Sequence, residues 1–405
     1  MPHDDSSTPC GEREPDRLLK NRDIIIVTLS EWHGPRRIRH HLAGEFVRQG
    51  NRVLFVEGFY TLSKFIKHPD WSKLFRFLRG PREISKGLFL LATIPFLPLG
   101  EFSSILSRIN WGIARIFIAG ALKKLGMGDC VLFIFAYNGA PLVGHLGEKR
   151  SVYFCNDAFD KLHRQRWLQR RVMALERQLV KRVDGVMTVS EKLTGERSPF
   201  AKKIATIHHG VDYRLFEEST RSGIVPAEFN VIAKPVVGYS GVVRHIIDLD
   251  LLDYLAAHRP GWSLVIVGPL TESDKRYYQQ FEVLKKRKNV YHLGQQPSEL
   301  VPQYISQFDV CLLPYTTDEI STYYAAPLKF YEYLAAGKPV VSSIGPYDQD
   351  EAIVRNAKTK DEFLVTIEKA FSSNSPEEVK KRKEVARHNS WEERVDAIDR
   401  FLATL

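Results

Sequence analysis

The sequence predicts an α/β protein made of two parallel-sheet domains, and three observations carry that expectation. Apolar runs of strand length alternate with helical stretches from residue 23 onward. The alternation breaks off at a polar stretch ending near Lys234 and then starts again. The chain has 405 residues, about twice the length of a typical domain.

The first strand spans 23–29, where Asp23 is followed by Ile24, Ile25, Ile26 and Val27. A polar loop at 30–34 leads into a helix over 35–49, stopped by Gly50, and then into a second apolar strand at 53–56. This strand–helix–strand unit is the mark of a parallel sheet. Further strands are expected at 131–135, 151–155 and 185–189, with a long Arg- and Gln-bearing helix at 164–183. The segment Ile204-Ala205-Thr206-Ile207 closes the first domain at His208-His209-Gly210-Val211-Asp212. In the second half, strands are expected at 236–239, 264–267, 290–294 and 310–313, with a helix at 249–257. The boundaries that follow are a disordered leader over 1–21, one Rossmann-like domain over 22–212 and a second over 213–385. A terminal helix over 386–405 is expected to cross back onto the first domain.

Composition narrows the function. The four cysteines (Cys10, Cys130, Cys155, Cys311) show neither a CxxC pair nor metal-ligand spacing, which suits a reducing compartment. The first twenty residues are polar and lack the apolar core of a signal peptide. No uninterrupted apolar run reaches the roughly 18 residues of a membrane span. Net charge is +10, and its placement is uneven. Residues 1–200 hold 32 Lys/Arg against 20 Asp/Glu, and residues 201–405 hold 26 against 28. The whole excess belongs to the first half, which points to an acidic partner for that half alone. Nucleic acid is the bland version of that partner, but helix-turn-helix and aromatic single-strand motifs are lacking, so none is expected.

Candidate site residues cluster at strand ends, where open α/β sheets bind ligands. Tyr239-Ser240-Gly241 ends a strand with small residues that allow close approach of a phosphate; a tight strand-to-helix turn would read the same way. At 327–341 a helix with apolar spacing at Leu328, Tyr331, Leu334 and Ala335 also carries Lys329, Glu332 and Tyr333. It stops at Gly337 and passes through Pro339 into the strand Val340-Val341. Lys329 and Glu332 form either an (i, i+3) pair on a solvated face or part of a binding site. Asp248-Leu249-Asp250 spells a DxD motif but opens a helix, where carboxylates favour the macrodipole, so it is read as a cap and no metal site is assigned.

Taken together, these residues resemble the nucleotide-binding domain of a GT-B glycosyltransferase. The matching segments are Gly238-Tyr239-Ser240-Gly241, Tyr291-His292-Leu293-Gly294, 309–315 and above all 327–341, with His209-Gly210-Val211-Asp212 as the hinge. The chain is similar to bacterial surface-polysaccharide enzymes of the teichuronic-acid and xanthan glucuronosyltransferase kind, over roughly residues 22–400. The resemblance implies the GT-B fold, two Rossmann-like domains facing each other across a cleft. It also implies a nucleotide-sugar donor, such as a UDP- or GDP-sugar, with no further cofactor. Lys329 would contact the donor diphosphate and Glu332 the ribose hydroxyls. His292 and Leu293 would line the base, Ser240 and Gly241 the phosphates or sugar, and Arg244 would be a second cation. These roles suit the side chains: a Lys point charge offsets a diphosphate, and a carboxylate accepts from a pair of hydroxyls.

One position departs from the pattern. Retaining members of the group place a glutamate eight positions before the ribose-binding one, and here that position is Tyr324, with Asp318 and Glu319 upstream. The departure favours an inverting transfer, which needs a general base from the first domain. Asp157, just past a strand end, is the candidate, with Asp160 as its alternative; the N-cap of the next helix is the structural reading of Asp157. His33, at the first strand end, is a further candidate base or acceptor ligand. Such enzymes generally work without a metal.

The excess charge has a candidate address at 64–86, with seven Lys/Arg against two acids. There Trp71, Leu74, Phe75 and Leu78 fall at helical spacing beside Lys73, Arg76 and Arg79, an amphipathic basic helix suited to an anionic membrane surface. An apolar run at 88–99 lies next to it; both could instead pack internally. The leading expectation is a glycosyltransferase acting on a glycan or lipid-linked acceptor, cytoplasmic and peripheral at the inner membrane face. A sugar-nucleotide epimerase and an inactive nucleotide-binding partner of a glycan assembly complex are the alternatives.

Overall fold

The computed structural model describes residues 18–405 apart from 30, 34–35, 59–61, 68–70, 94–95, 98–99, 101–102, 164, 273, 318–327 and 346–349. Tyr324, Asp318 and Glu319 therefore lie outside the described residues, as does most of the expected leader.

The first domain contains β1 (Asp23–Val27), β2 (Arg52–Val56), β3 (Arg82–Ser85), β4 (Leu88–Leu91), β5 (Val131–Ile134), β6 (Arg150–Cys155), β7 (Gly185–Thr188) and β8 (Ile204–Thr206). Their order in the sheet is β3-β4-β2-β1-β5-β6-β7-β8, parallel except for the β3–β4 pair. Its helices are α1 (Ile38–Arg48), α2 (Leu62–Lys67), α3 (Trp71–Arg79), α4 (Ser104–Leu125), α5 (Arg166–Arg182) and α6 (Glu191–Arg197). The second domain contains α7 (Tyr213–Ser222), β9 (Val236–Ser240), α8 (Leu249–His258), β10 (Ser263–Val267), α9 (Lys275–Leu284) and β11 (Val290–Gly294). It continues with α10 (Val301–Ser306), β12 (Val310–Leu313), α11 (Leu328–Ala335), β13 (Val340–Ser342), β14 (Val354–Asn356), α12 (Lys360–Phe371) and α13 (Pro376–His388). The sheet order is β11-β10-β9-β12-β13-β14, all parallel. Two Rossmann-like sheets, each with its own apolar core, face each other across a cleft.

The last helix, α14 (Trp391–Ala403), returns to the first domain: Trp391, Val395, Ile398 and Leu402 are buried in that domain's core. The crossing is stitched by Val211 N–H to the Asn389 carbonyl (2.9 Å) and Trp391 N–H to the Val211 carbonyl (3.1 Å). Trp391 stacks on His41 with ring centroids 5.1 Å apart. The hinge sequence at 209–212 is thus clamped from both domains.

For the first part of the apolar run at 88–99 the structure shows the internal-packing alternative. Leu88–Leu91 forms β4, paired in parallel with β2, and Leu88, Leu90 and Leu91 are buried. Four consecutive apolar residues with no charge suit a strand covered on both faces, so this part packs internally. Helix α3 does form over Trp71–Arg79, with Trp71, Phe75 and Leu78 exposed. The sequence reading passed over α4. By length and composition this helix could cross a membrane, yet Trp111, Ala114, Ile118, Ala121 and Leu122 bury one face of it in the first core.

Candidate active site

The carboxyl ends of β9, β10 and β11 form a floor whose backbone is already hydrogen-bonded. Gly241 N–H donates to the Val267 carbonyl and Gly268 N–H to the Gly294 carbonyl, both at 2.7 Å. Ser240 N–H donates to the Tyr333 hydroxyl oxygen at 2.9 Å, and that hydroxyl in turn faces the Ser240 carbonyl at 3.4 Å. A phosphate placed here would not meet free N–H groups at 240 and 241, contrary to the simplest reading of a small-residue strand end. What remains unspent is the Ser240 side-chain hydroxyl, which bonds to none of the described residues, and the ammonium group above it.

That ammonium belongs to Lys329 on the first turn of α11. Gly241 has φ +148°, a conformation that side chains resist, and a Cβ there would overlap Lys329 Cε and lie 2.7 Å from Nζ. The glycine is therefore the seat of the lysine. Its neighbour Leu328 packs against the first domain's core, which brings the start of α11 to the cleft. Burial pushes the Lys329 pKa below its ordinary value, aided by the charge of Arg244 and opposed by Glu332. Burial likewise raises the Glu332 pKa, with Lys329 opposing. The two interact through the field without a direct ion pair, so each keeps its hydrogen-bonding capacity for something else. An (i, i+3) surface pair is not what the structure shows.

Helix α11 is anchored at its far end. Gly337, at φ +72°, ends the helix, and Lys338 N–H returns to the Tyr333 carbonyl at 2.9 Å. The fully buried Arg382 donates to the carbonyls of Gly337 (2.8 Å), Ala352 (2.9 Å) and Ser373 (3.1 Å), which fixes α13 against this end. A buried guanidinium is tolerable only with such full satisfaction.

Arg244 stands exposed on the loop between β9 and α8, and that loop is held on two sides. Val243 N–H bonds the Pro269 carbonyl (2.9 Å), and the Glu272 carboxylate lies 2.9 Å from both His245 N–H and the His245 ring. Asp248 caps α8 by accepting from Leu251 N–H at 2.8 Å, which accounts for the DxD spelling. Among the described residues no group of three or more His, Cys, Asp or Glu is placed to hold a metal ion.

His292 Nε2 lies 2.8 Å from the Gly268 carbonyl, and its ring stands edge-on to Phe281. Its placement ties β11 to the β10 end. Leu293 is half-buried beside it, its carbonyl taken by the Gln296 side chain at 2.8 Å.

Across the cleft, Asp157 follows β6. Its Oδ1 accepts from Ala158 N–H at 2.8 Å, a local turn rather than the cap of a full helix. Burial raises its pKa, while Arg244 from the second domain and Arg37 at the start of α1 pull it down. Asn156 Oδ1 beside it is buried and has no hydrogen-bond partner among the described residues. Asp160 is placed differently: it is buried in an ionic cluster with Arg197 (3.9 Å) and Lys161 (3.8 Å), and Arg197 also pairs with Glu176 at 3.1 Å. The Asp160 carboxylate is thus engaged within the first domain's own ion cluster. His33 is exposed on a loop shaped by its neighbour: Trp32 N–H donates to Glu57 at 3.0 Å, and Arg36 lies over the Trp32 ring. The sequence reading missed Arg37, whose signal was only the doubled arginine ahead of α1.

Together, these facing domains have the architecture of the GT-B fold, with a lysine seated on a strand-end glycine and a carboxylate on the other side of the cleft. Comparison finds similarity to glycosyltransferases, one of them named for teichuronic-acid biosynthesis. Residues 222–373 match the group 1 glycosyl transferases. A Bacillus subtilis protein named for teichuronic acid biosynthesis, the glycosyltransferase TuaH, is 27% identical over 289 residues, covering 65% of this chain and 69% of its own length. A sucrose-phosphate synthase from Thermosynechococcus elongatus superposes with TM-score 0.65 at 15% identity, covering 95% of this chain and 98% of its own. Anabaena HepE, solved with UDP and glucose, gives 0.64 at 15% identity, covering 95% and 100%. At that identity the two structures speak for the fold.

Proposed function

We propose that the protein transfers a sugar from a UDP- or GDP-sugar to a lipid-linked glycan acceptor in surface polysaccharide synthesis, with inversion at the anomeric carbon. The observation that carries the donor reading is the Lys329 ammonium seated on Gly241 at the point where the strand order of the second sheet reverses. Lys329 offsets the diphosphate charge as the glycosidic C–O bond breaks, with Arg244 alongside, so the leaving group needs no metal ion. Glu332, three residues on, accepts from the ribose hydroxyls. The likeness to TuaH supports the surface-polysaccharide assignment.

On the acceptor side, Asp157 takes the proton of the attacking hydroxyl while the oxygen bonds to the anomeric carbon. Its raised pKa makes it a stronger base than an exposed aspartate, and the buried Asn156 acceptor next to it suits a hydroxyl-bearing ligand. The exposed apolar and basic face of α3 supports a cytoplasmic site of action at the inner membrane surface.

The test is a transfer assay with radiolabelled donor and membrane-extracted acceptor, with the product's anomeric configuration read by NMR. Asp157→Asn should abolish transfer while leaving UDP binding intact, and EDTA should leave the rate unchanged. Retained configuration, or full activity in Asp157→Asn, would sink the inverting mechanism.

A further inference from the structure

A second basic feature lies away from the cleft. Helices α4 and α5 and the loop after β5 enclose a groove of about 550 Å³, lined by Arg108, Arg115, Arg182 and His145 and by no carboxylate. Arg108, Gly112 and Arg115 recur at i, i+4 and i+7, so they form one stripe along α4 facing the groove. Arg182 Nη2 lies 3.2 Å from His145 Nε2, which fixes that guanidinium on the opposite wall. Among the described residues neither Arg108 nor Arg115 has an ion-pair partner. Three arginines converging on one concavity without an acid repel one another, and such an arrangement suits a polyanion with several acceptor oxygens.

The neighbouring stripe of the same helix says where that anion sits. Ile105, Ile109 and Ile116, about 70° further round α4, are 70%, 43% and 66% exposed. On the far side of this stripe Phe117 meets Phe77 of α3 edge-on at 4.5 Å. The isoleucines therefore lie between the groove and the exposed Trp71, Phe75 and Leu78 of α3. Apolar side chains flanked by cationic groups match the boundary of a bilayer, acyl chains beneath and phosphates at the rim.

We infer that the α4–α5 groove binds the phosphate headgroup of an anionic lipid when the isoleucine stripe and α3 rest on the membrane. The inference rests on the peripheral-membrane reading above and adds to it a defined headgroup site. Co-sedimentation of the full chain with vesicles of phosphatidylcholine alone, and of phosphatidylcholine with phosphatidylglycerol, tests it. Arg108→Gln/Arg115→Gln/Arg182→Gln should weaken binding to the anionic vesicles by about a hundredfold, about 3 kcal/mol at ~1 kcal/mol per cation near the surface. The charge-matched Lys275→Gln/Lys286→Gln/Lys288→Gln, on exposed positions of the second domain, should bind as wild type. Both triples should keep the UDP-induced thermal shift, which shows that they fold. Equal binding by the groove triple and wild type, or equal loss in both triples, overturns the site while leaving membrane association standing. Failure of the wild type to bind anionic vesicles overturns both. A groove-dependent thermal shift with inorganic pyrophosphate, without vesicle binding, overturns the lipid in favour of a soluble anion.

Discussion

The seat of Lys329 on Gly241 can be broken from either side, and the two perturbations should not add. Gly241→Ala places a methyl group where Lys329 Cε now lies, on a backbone at φ +148°. The backbone strain alone is of order 1–3 kcal/mol. The lysine must swing away, which withdraws its ammonium from the strand end. Lys329→Ala removes the same ammonium directly. If one charge-assisted contact to the diphosphate is lost, binding weakens by about 1.5–3 kcal/mol, or about ten- to a hundredfold in Kd.

The assay is calorimetric titration with UDP and GDP on wild type, both single variants and the double variant, with thermal unfolding in parallel. For affinity, the double variant should resemble Lys329→Ala, because the methyl group has nothing left to displace. For stability, Gly241→Ala should cost less in the Lys329→Ala background than in wild type, since the overlap disappears and only the strain remains. Additive losses of affinity would mean that Gly241 and Lys329 act on the ligand separately. Wild-type affinity in Gly241→Ala would refute the seat itself.

Two further predictions concern other contacts. Arg244→Gln removes a charge that favours ionised Asp157, so the Asp157 pKa should rise and the acid limb of kcat/KM should move to higher pH; a limb that stays or moves down refutes the coupling across the cleft. Trp391→Ala empties a buried aromatic site stacked on His41 and packed at Gly210, and should cost about 3–5 kcal/mol in denaturant unfolding; a loss under ~1 kcal/mol would show that the returning helix is not braced there.

Much of this arrangement was legible because it is local in the chain. An apolar run such as Ile24–Val27 between polar punctuation can hardly be anything but a buried strand, and Gly337 after Ala335-Ala336 can hardly fail to stop a helix. The charged residues of α11 were legible for the same reason, since Lys329 and Glu332 interrupt an apolar periodicity. What stayed hidden depends on pairing between distant segments. Leu88–Leu91 reads as an apolar run whether it lies on lipid or in a sheet, and only its ladder with β2 decides. Helix α4 mixes a buried face, an arginine stripe and an exposed isoleucine stripe, so its periodicity is blurred. The contact between Gly241 and Lys329, and the field of Arg244 on Asp157, join residues that no spacing rule connects.

That last pair also bears on why Asp157, rather than Asp160 or His33, is the base we propose. All three lie near carboxyl ends of strands in the first domain, so position alone does not separate them. Asp160 is tied into the Arg197–Glu176 cluster, where its charge serves the fold. His33 is exposed, and no described group orients it. Asp157 alone is held by a single local N–H while feeling cations from both domains, Arg37 from its own and Arg244 from the other. Its burial works against the charged form and those cations work for it, so its protonation state depends on how closely the domains approach. A carboxyl whose pKa rises on folding favours the native state only below its ordinary value of 3.8, and that contribution is lost as pH rises through the folded pKa. Asp157→Asn should therefore leave stability at neutral pH unchanged or raised. That burial without a stabilising return at neutral pH is what the proposed role as base leads one to expect.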